Sequence, residues 1–482
     1  MPLLIPADRI MPVIARKYWL VLATASIGML LASLDFSVNV GLPDIATSFD
    51  ADLIEIYKII TVYLGATATV QLILGRIADA YGLKRIYIIG LITYGLAVFL
   101  IGIATTLESV IATRVLQALG NAIFLALSPA IVTASVPDSY RGQALGWMTA
   151  IGMTGMILGS FGAGFVIDFY GWRWIFLARV PLAILALGMS VWFLPSVRNS
   201  SQTDLDINSA VLIVLSVLFF MLFLNQTQIT GWLSFNALIY IAASLVAAYF
   251  LCKRQLTLST PFIPKGLLRR REVSIGLVCN FLMYLAIFVN WFVLPFFVTE
   301  IVGMGPSSIG VLLTIPAVFL LISSPLGGAF ADRTHPALIS TVGMLIIVVS
   351  LISFQTVDNL STGFGIAARM AGLGIGMGIF QSSNLSLIMG SVSARELGIA
   401  GGLSGLSRNL GTVCSVTILG SIFVTLRATG QDPVEISSTQ LTDTVAGYVA
   451  AFRFVYGIAA VLGLFGALVN LWLWRNRSLS DH

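Results

Sequence analysis

An all-α protein that crosses a membrane many times is the fold class this sequence predicts. Its form is two six-helix bundles related by pseudo-two-fold symmetry plus two inserted helices, fourteen transmembrane helices in all. Three observations lead there. Of 482 residues, 58% are hydrophobic and only 10% charged, with a mean hydropathy of +0.97, whereas a soluble domain carries about 25% charged residues. Apolar runs as long as a membrane helix needs, about 20 residues, recur from end to end with short polar turns between them. The two halves of the chain also repeat each other.

The runs begin near Tyr18, Ile54, Arg85, Glu108, Arg141, Trp174, Asn208, Phe235, Val273, Ser307, Pro336, Ser361, Glu396 and Tyr448. The first contains Asp35 and lacks a small-residue cleavage site, so it reads as a retained helix and not a signal peptide. Placing the N-terminus in the cytoplasm puts 18 of the 26 Lys and Arg in cytoplasmic segments, 3 in external ones, and Arg114, Arg179, Arg369, Arg408 and Arg453 within spans. That asymmetry predicts cytoplasmic N- and C-termini in a bacterial plasma (inner) membrane. Trp19, Trp172, Trp174, Trp192, Trp472 and Trp474 fall near span ends, where an interfacial aromatic belt would hold them.

The repeat fixes the domain plan. Ile111-Ala112-Thr113-Arg114 in the fourth span matches Ile366-Ala367-Ala368-Arg369 in the twelfth, and Gly75-Arg-Ile-Ala-Asp79 resembles Gly328-Ala-Phe-Ala-Asp332, at offsets of 255 and 253 residues. Residues 1–200 and 261–482 therefore read as the two bundles. Residues 201–260 read as an inserted hairpin, uncharged from Ile207 to Cys252. Parallel repeats of this kind build secondary transporters whose site lies at mid-membrane between the halves.

Composition also excludes chemistry. Cys252, Cys279 and Cys414 are widely spaced, odd in number and without a CxxC, which argues for buried inert thiols and against a disulfide framework or zinc site. With only His335 and His482, a histidine metal centre is improbable, and the absence of any Gly-Lys dipeptide removes the P-loop signature. No cofactor, metal, nucleophile–base arrangement or nucleic-acid partner is expected, and the protein is not expected to be an enzyme. The +5 net charge follows from the cytoplasmic excess of Lys and Arg.

Four motifs carry the functional reading. The first span reads Leu34-Asp35-Phe-Ser-Val38-Asn39-Val-Gly-Leu42-Pro43-Asp44-Ile45. Asp35 is the one carboxylate placed well inside a span, where an acid costs about 2.5–3.5 kcal/mol on insertion scales and usually faces a pathway. After the second span comes Gly75-Arg76-Ile77-Ala78-Asp79-Ala80-Tyr81-Gly82-Leu83-Lys84-Arg85, with its second copy at Asp332-Arg333. Its glycines permit a tight turn, and Asp79 can cap or pair at neighbouring helix ends. The fourth span carries Arg114-Val-Leu-Gln117-Ala-Leu-Gly120; Arg114, Gln117, Asn121 and Ser128 form one helical stripe, expected to face water or the other bundle. Counted at about 1.5 Å per residue from the span ends, Asp35 and Arg114 share a depth in the external half, so they are expected to pair. The fifth span presents Gly152, Gly155, Gly159, Gly162 and Gly164, then Trp172-Arg173-Trp174-Ile175-Phe176. Small residues at this spacing let helices approach closely.

Together these segments resemble the major facilitator superfamily, in its fourteen-helix drug/proton antiporter branch, over nearly the whole chain. The resemblance implies a first-helix motif with its acid, its Asn39 and a proline at position 43 that ends the helix. It also implies a gate latch at Gly75, Asp79, Gly82, Arg85, Asp332 and Arg333, and a packing motif at Gly152, Gly155, Gly159 and Gly164. The sequence departs from the pattern at Ala118, Met156 and Ser160, and Arg179 stands where the branch has Asn.

The function expected is proton-coupled export of amphipathic small molecules by alternating access, with Asp35 and Arg114 as the coupling pair. The expected cavity lining is Asn39, Gln117, Asn121, Ser128, Asn290, Trp291, Arg369, Gln381, Ser383 and Arg408. Partners are the substrate, protons and the lipid bilayer, with the external segment Leu426–Gly447 as the candidate contact for a periplasmic adaptor and the monomer as the working unit. A carrier of an anionic metabolite, siderophore or acyl compound is the alternative within transport. A non-transporting membrane sensor or scaffold is the alternative outside it.

Overall fold

The structure is a computed structural model that describes residues 16–51, 53–196, 206–258, 261–304, 306–358, 361–428 and 438–478. In the first half lie α1 (Arg16–Ser33), α2 (Ser37–Phe49), α3 (Leu53–Tyr81), α4 (Leu83–Gly102), α5 (Leu107–Ser135), α6 (Arg141–Tyr170), α7 (Trp174–Leu177) and α8 (Arg179–Phe193). The hairpin follows as α9 (Ile207–Thr230) and α10 (Phe235–Thr257). The second half comprises α11 (Arg271–Ile287), α12 (Val289–Glu300), α13 (Pro306–Arg333), α14 (Pro336–Phe354), α15 (Gly363–Gly390), α16 (Leu397–Cys414), α17 (Gly420–Ala428) and α18 (Ser438–Ser478). Among the described residues, thirteen stretches are long and apolar enough to cross a membrane. A further long helix, α3, has 29 residues, about 44 Å at 1.5 Å per residue, and packs beside α5 and α16.

Several of these rods are interrupted. A 3-10 turn, Leu34–Phe36, separates α1 from α2, and Phe288 separates α11 from α12. Asp35 and Phe288 are 253 residues apart, the offset that also relates Asp79 to Asp332, so the interruption is itself part of the repeat. The helix does not end at its proline: α2 runs Ser37–Phe49 straight through position 43.

Two large hydrophobic cores divide the chain. One gathers residues of α1 to α8, from Val21 to Leu194, and takes in Ile388, Met389, Leu397 and Ala400 from the other half. The other runs from Cys279 to Ala467. The hairpin packs against both halves through a separate small cluster, in which Ile213 of α9 is buried with Leu72 of α3 and Ile399 of α16. Its open end is tied by Arg254, whose Nε and Nη2 donate to Asp206 at 2.8 and 2.7 Å. This pairing holds the Asp206 carboxyl well below the usual carboxylate range. Of the external segment expected at Leu426–Gly447, residues 429–437 lie outside the described residues, and the part from Ser438 onward is the first stretch of α18.

The glycine series on α6 is only partly a packing device. A side chain on Gly155 would meet the Leu30 backbone, with Cα 3.0 Å from its Cβ, and one on Gly159 would meet the Leu34 carbonyl oxygen at 2.8 Å. Gly152 faces Met29 at ordinary contact distance, whereas Gly162 and Gly164 face open space. The expected role of Gly164 is thus corrected: its position on the helix turns it away from α1. Trp172 is corrected too. It is buried between Phe49 and Phe176, unlike the exposed Trp19, Trp174, Trp192 and Trp472. Of the thiols, Cys279 and Cys414 are buried but Cys252 is exposed.

Overpacking a tight helix contact costs about 1–3 kcal/mol. Gly155→Val should therefore lower the thermal midpoint of the purified protein by several degrees, while Gly164→Val leaves it nearly unchanged. Equal shifts in the two variants would contradict this assignment of the α1–α6 contact.

Candidate functional site

The 3-10 turn places Asp35 where three helices converge. Its carboxylate is 8% exposed and pairs with two guanidinium groups, those of Arg114 and Arg179, which are 2% and 3% exposed. Arg179 opens α8, just after the break that ends α7 at Leu177, and its Nη1 makes the direct contact to Oδ1. Arg114 Nη1 stands 3.6 Å from the same oxygen. Gln117 bridges them, donating from Nε2 to Asp35 Oδ1 at 2.7 Å while its Oε1 accepts from Arg114 Nη1 at 2.7 Å. The Tyr63 hydroxyl of α3 donates to Oδ2, and its ring lies 4.1 Å from the Arg114 guanidinium carbon.

Arg179 does more than neutralise the acid. Its Nη2 donates to the Leu34 carbonyl at 3.0 Å and to the Ser37 hydroxyl, so one side chain holds both the carboxylate and the backbone of the break. Its Nη1 also reaches the Tyr94 hydroxyl at 3.3 Å, which in turn donates to the Leu31 carbonyl at 2.9 Å. One carboxylate between two guanidiniums leaves the cluster with a net positive charge.

The expected pairing of Asp35 with Arg114 is present, but the closest partner is Arg179, and Tyr63 is a further contact. Sequence reasoning missed both. Arg179 lies five residues into the span that begins near Trp174, and Arg114 six into the span that begins near Glu108. Equal depth was a usable sign for Arg179. Tyr63, an ordinary aromatic within an apolar run, gave none.

The rest of the expected lining divides by burial. Asn39 is exposed on α2, and Trp291, Gln381 and Arg408 are half-buried. The stripe on α5 does not face water: Arg114 and Gln117 turn to Asp35, Asn121 is buried, and Ser128 lies in the core beside Tyr87. Asn290 is fully buried, donating to the Met370 sulfur at 3.1 Å and accepting from Tyr456 at 2.7 Å. The Ser383 hydroxyl bonds back to the Ile379 carbonyl of its own helix at 2.6 Å. Arg369 of α15 reaches the end of α14, donating to the Ser353 carbonyl and to Thr356, and also donates to the Gly365 carbonyl one turn back on its own helix. In this conformation Asn121, Ser128, Asn290 and Ser383 are thus packed inside the bundles and Arg369 is engaged with main-chain carbonyls, because helical periodicity gives a face but not its neighbour.

At one end of the bundles the two halves are latched by a reciprocal arrangement. Asp79 accepts from the backbone N–H groups of Gly398 and Ile399 at 2.7 and 2.8 Å, so an acid of the first half caps the start of α16. Asp332 accepts from Gly142 and Gln143 at 2.6 and 2.8 Å, so an acid of the second half caps the start of α6. Carboxylates at helix N-termini satisfy unpaired donors and complement the helix dipole. Gly75 lies against Gly398, and Gly142 against Gly328, leaving no room for side chains. Gly82, at φ 99°, makes the turn from α3 to α4, while Arg85 and Arg333 are exposed. Glu396, just before α16, receives Ser393 and the Arg270 guanidinium, the latter at 2.8 Å.

A family model for the Major Facilitator Superfamily matches residues 25–268 and 276–482. The chain belongs to that superfamily. Within it, the chain is 24% identical over 468 residues to the riboflavin transporter RibZ of Clostridioides difficile, covering 96% of this chain and 99% of that one. It is 28% identical over 406 residues to the methylenomycin A resistance protein of Bacillus subtilis, covering 83% and 87%. Among solved structures of the superfamily, the human organic anion transporter MFSD10 superposes with a TM-score of 0.65 at 13% identity, covering 94% of this chain and 99% of that one. The fold is thus a transporter fold of many membrane-spanning helices, and the protein is not an enzyme.

Burial opposes ionisation of Glu396, but the Ser393 hydrogen bonds and Arg270 outweigh it and hold its carboxyl below the usual range. Such a group contributes stability that is fully present above its unfolded value, about 4.3, and is lost as pH falls through the lower folded value. From about pH 5.5 upward the contribution is therefore constant. Glu396→Gln should lower the thermal midpoint slightly, and equally at about pH 5.5 and pH 8; a difference that vanishes at the lower pH would contradict the assignment.

Proposed function

We propose that this protein is a proton-coupled exporter of amphipathic small molecules in a bacterial plasma membrane, working by alternating access. The observation that carries the proposal is the buried Asp35, paired with Arg114 and Arg179 at a break in the first transmembrane rod. The name of the B. subtilis relative, a resistance protein, supports export, and the charge asymmetry of the loops supports cytoplasmic termini. On that orientation the latch end, with Arg76, Lys84, Arg85, Arg269, Arg270, Arg271 and Arg333, faces the cytoplasm.

The coupling we infer is mechanical. A proton arriving on Asp35 removes the charge that Arg179 neutralises, and Arg179 also holds the Leu34 carbonyl and the Ser37 hydroxyl. Loss of the ion pair therefore loosens the break itself. The break rests on Gly159 of α6, and the start of α6 is capped by Asp332 of the other half. Gly142 and Gly159 are about 25 Å apart along the helix. One rigid element thus touches both the proton site and the latch, the physical link that coupling between distant sites requires. With the latch closed, ligand exchange is confined to the opposite end of the bundles. Opening it needs both acid caps to leave their helix ends.

Asp35→Asn keeps size and hydrogen-bonding capacity but removes the exchangeable charge. In proteoliposomes it should abolish substrate-induced proton release and uphill flux driven by a pH gradient, while downhill exchange of substrate survives. Intact pH-driven accumulation by a folded, monodisperse Asp35→Asn protein would reject the proposal. Arg114→Ala leaves Asp35 paired with Arg179 and should affect coupling less than Arg179→Ala does.

Asp79→Asn and Asp332→Asn should each destabilise the latched state by about 1–2 kcal/mol. Transport turnover should change several-fold while substrate affinity, measured by equilibrium binding, stays within about twofold. A large loss of affinity with normal turnover would contradict the latch assignment.

A further inference from the structure

We infer that the transported class is aromatic monoanions, received on the C-terminal half by Arg408 and the aromatic strip Tyr284, Phe288 and Trp291. The inference deepens the exporter reading and rests on it for transport, although binding can be tested independently.

In the N-terminal half the Asp35 cluster carries one carboxylate and two guanidiniums. In the C-terminal half Arg408 lies twelve positions into α16, about 17 Å from its start, near the middle of the membrane. Tyr284 of α11 stands against this stretch of α16, its Cβ 3.0 Å from where a Cβ on Gly411 would lie, and its hydroxyl neighbours Arg408; no carboxylate forms a salt bridge with Arg408 among the described residues. It is also half-buried. Arg369 and Arg453 differ, because their guanidiniums bind main-chain carbonyls, those of Ser353 and Gly365 for Arg369 and that of Val357 for Arg453. A guanidinium at mid-depth with a neutral partner retains donors for an anion, and Arg offers a planar fork suited to a carboxylate.

The aromatic part follows from the second break. Tyr284, Phe288 and Trp291 stand at i, i+4 and i+7 across the interruption that repeats the one at Asp35, and all three are half-buried. Phe288 and Trp291 stack, with centroids 5.5 Å apart and planes at 25°. Phe288 contributes to none of the hydrophobic clusters of described residues. The strip runs beside α16, since Asn280, one turn before Tyr284, donates to the Ser404 carbonyl at 2.9 Å. On α16 itself, the next residue, Asn409, donates to Gln71 of α3 at 3.0 Å, so this turn of α16 lies along the seam between the halves. Interrupted helices at corresponding positions of two repeats point to the substrate site. Here one break offers fixed charge and the other offers flat aromatic surface beside a cation.

The test uses three probes that share a pyrene ring: 1-pyrenebutyrate, its carboxamide and (1-pyrenylmethyl)trimethylammonium. Equilibrium binding to the purified full-length protein is measured by fluorescence, and flux of each probe is measured in proteoliposomes under an imposed pH gradient. Wild type should bind the carboxylate at least about tenfold more tightly than the ammonium probe. Arg408→Gln should weaken carboxylate binding by about 10- to 100-fold and leave the carboxamide nearly unchanged, with Arg408→Lys recovering part of the loss. Trp291→Ala should weaken all three alike, by about 2- to 10-fold. Binding of the ammonium probe as tight as the carboxylate, binding of none of them, or an Arg408→Gln effect equal across the three overturns the inference. Carboxylate-selective binding without pH-driven flux would refute the exporter reading and leave only the binding site at Arg408 standing. PH-driven flux of the ammonium probe alone would do the reverse.

Discussion

One buried carboxylate between two guanidiniums sets the terms for the N-terminal half. Asp35 sits at a depth where a lone acid is costly, and removing one partner of such a pair costs about 3–5 kcal/mol because the other is left uncompensated. Much of the surrounding construction serves to keep the charges satisfied. Gln117 bridges acid and base, Tyr63 and Tyr94 bring hydroxyls, and the Leu34 carbonyl accepts from Arg179. Gly155 and Gly159 let α6 close against the same segment. The 3-10 turn is what brings backbone and carboxylate within reach of one arginine.

The latch follows a different logic, distributed by symmetry. Each half lends an acid to a helix start in the other, through hydrogen bonds to main-chain N–H groups. Main-chain caps depend on the placement of a helix end and little on side-chain identity, so the proposed rocking of one bundle against the other would break them and its return would re-form them in register. Because α6 bears one of these caps and also underlies the break at Asp35, the buried ion cluster and the cross-half caps share one helix.

Much of this was legible in the sequence, for reasons that also explain the rest. The repeat offset foretold that Asp79 and Asp332 would play matching parts, since a duplicated fold duplicates its helix ends. Depth counted in residues brought Asp35 and Arg114 together. Depth does not rank neighbours, so Arg179 was passed over as the direct partner. Periodicity placed Gln117 and Ser128 on one stripe, yet in a bundle where most helices have neighbours on several sides a stripe can turn inward, as Ser128 does toward Tyr87. The family resemblance implied that the proline at position 43 ends the helix. The chain instead continues through it and breaks earlier, where Arg179 compensates the Leu34 carbonyl.

The central claim is that the Asp35 charge, acting through Arg179, holds the break between α1 and α2 in place. Amide hydrogen–deuterium exchange over residues 33–38, compared at one fixed pH among wild type, Asp35→Asn and Arg179→Gln, tests it most directly. The account predicts faster exchange over these residues in both variants, by a similar factor, together with faster exchange at Gly142 and Gln143 under the Asp332 cap. Unchanged exchange over residues 33–38 in a folded Asp35→Asn protein would contradict it.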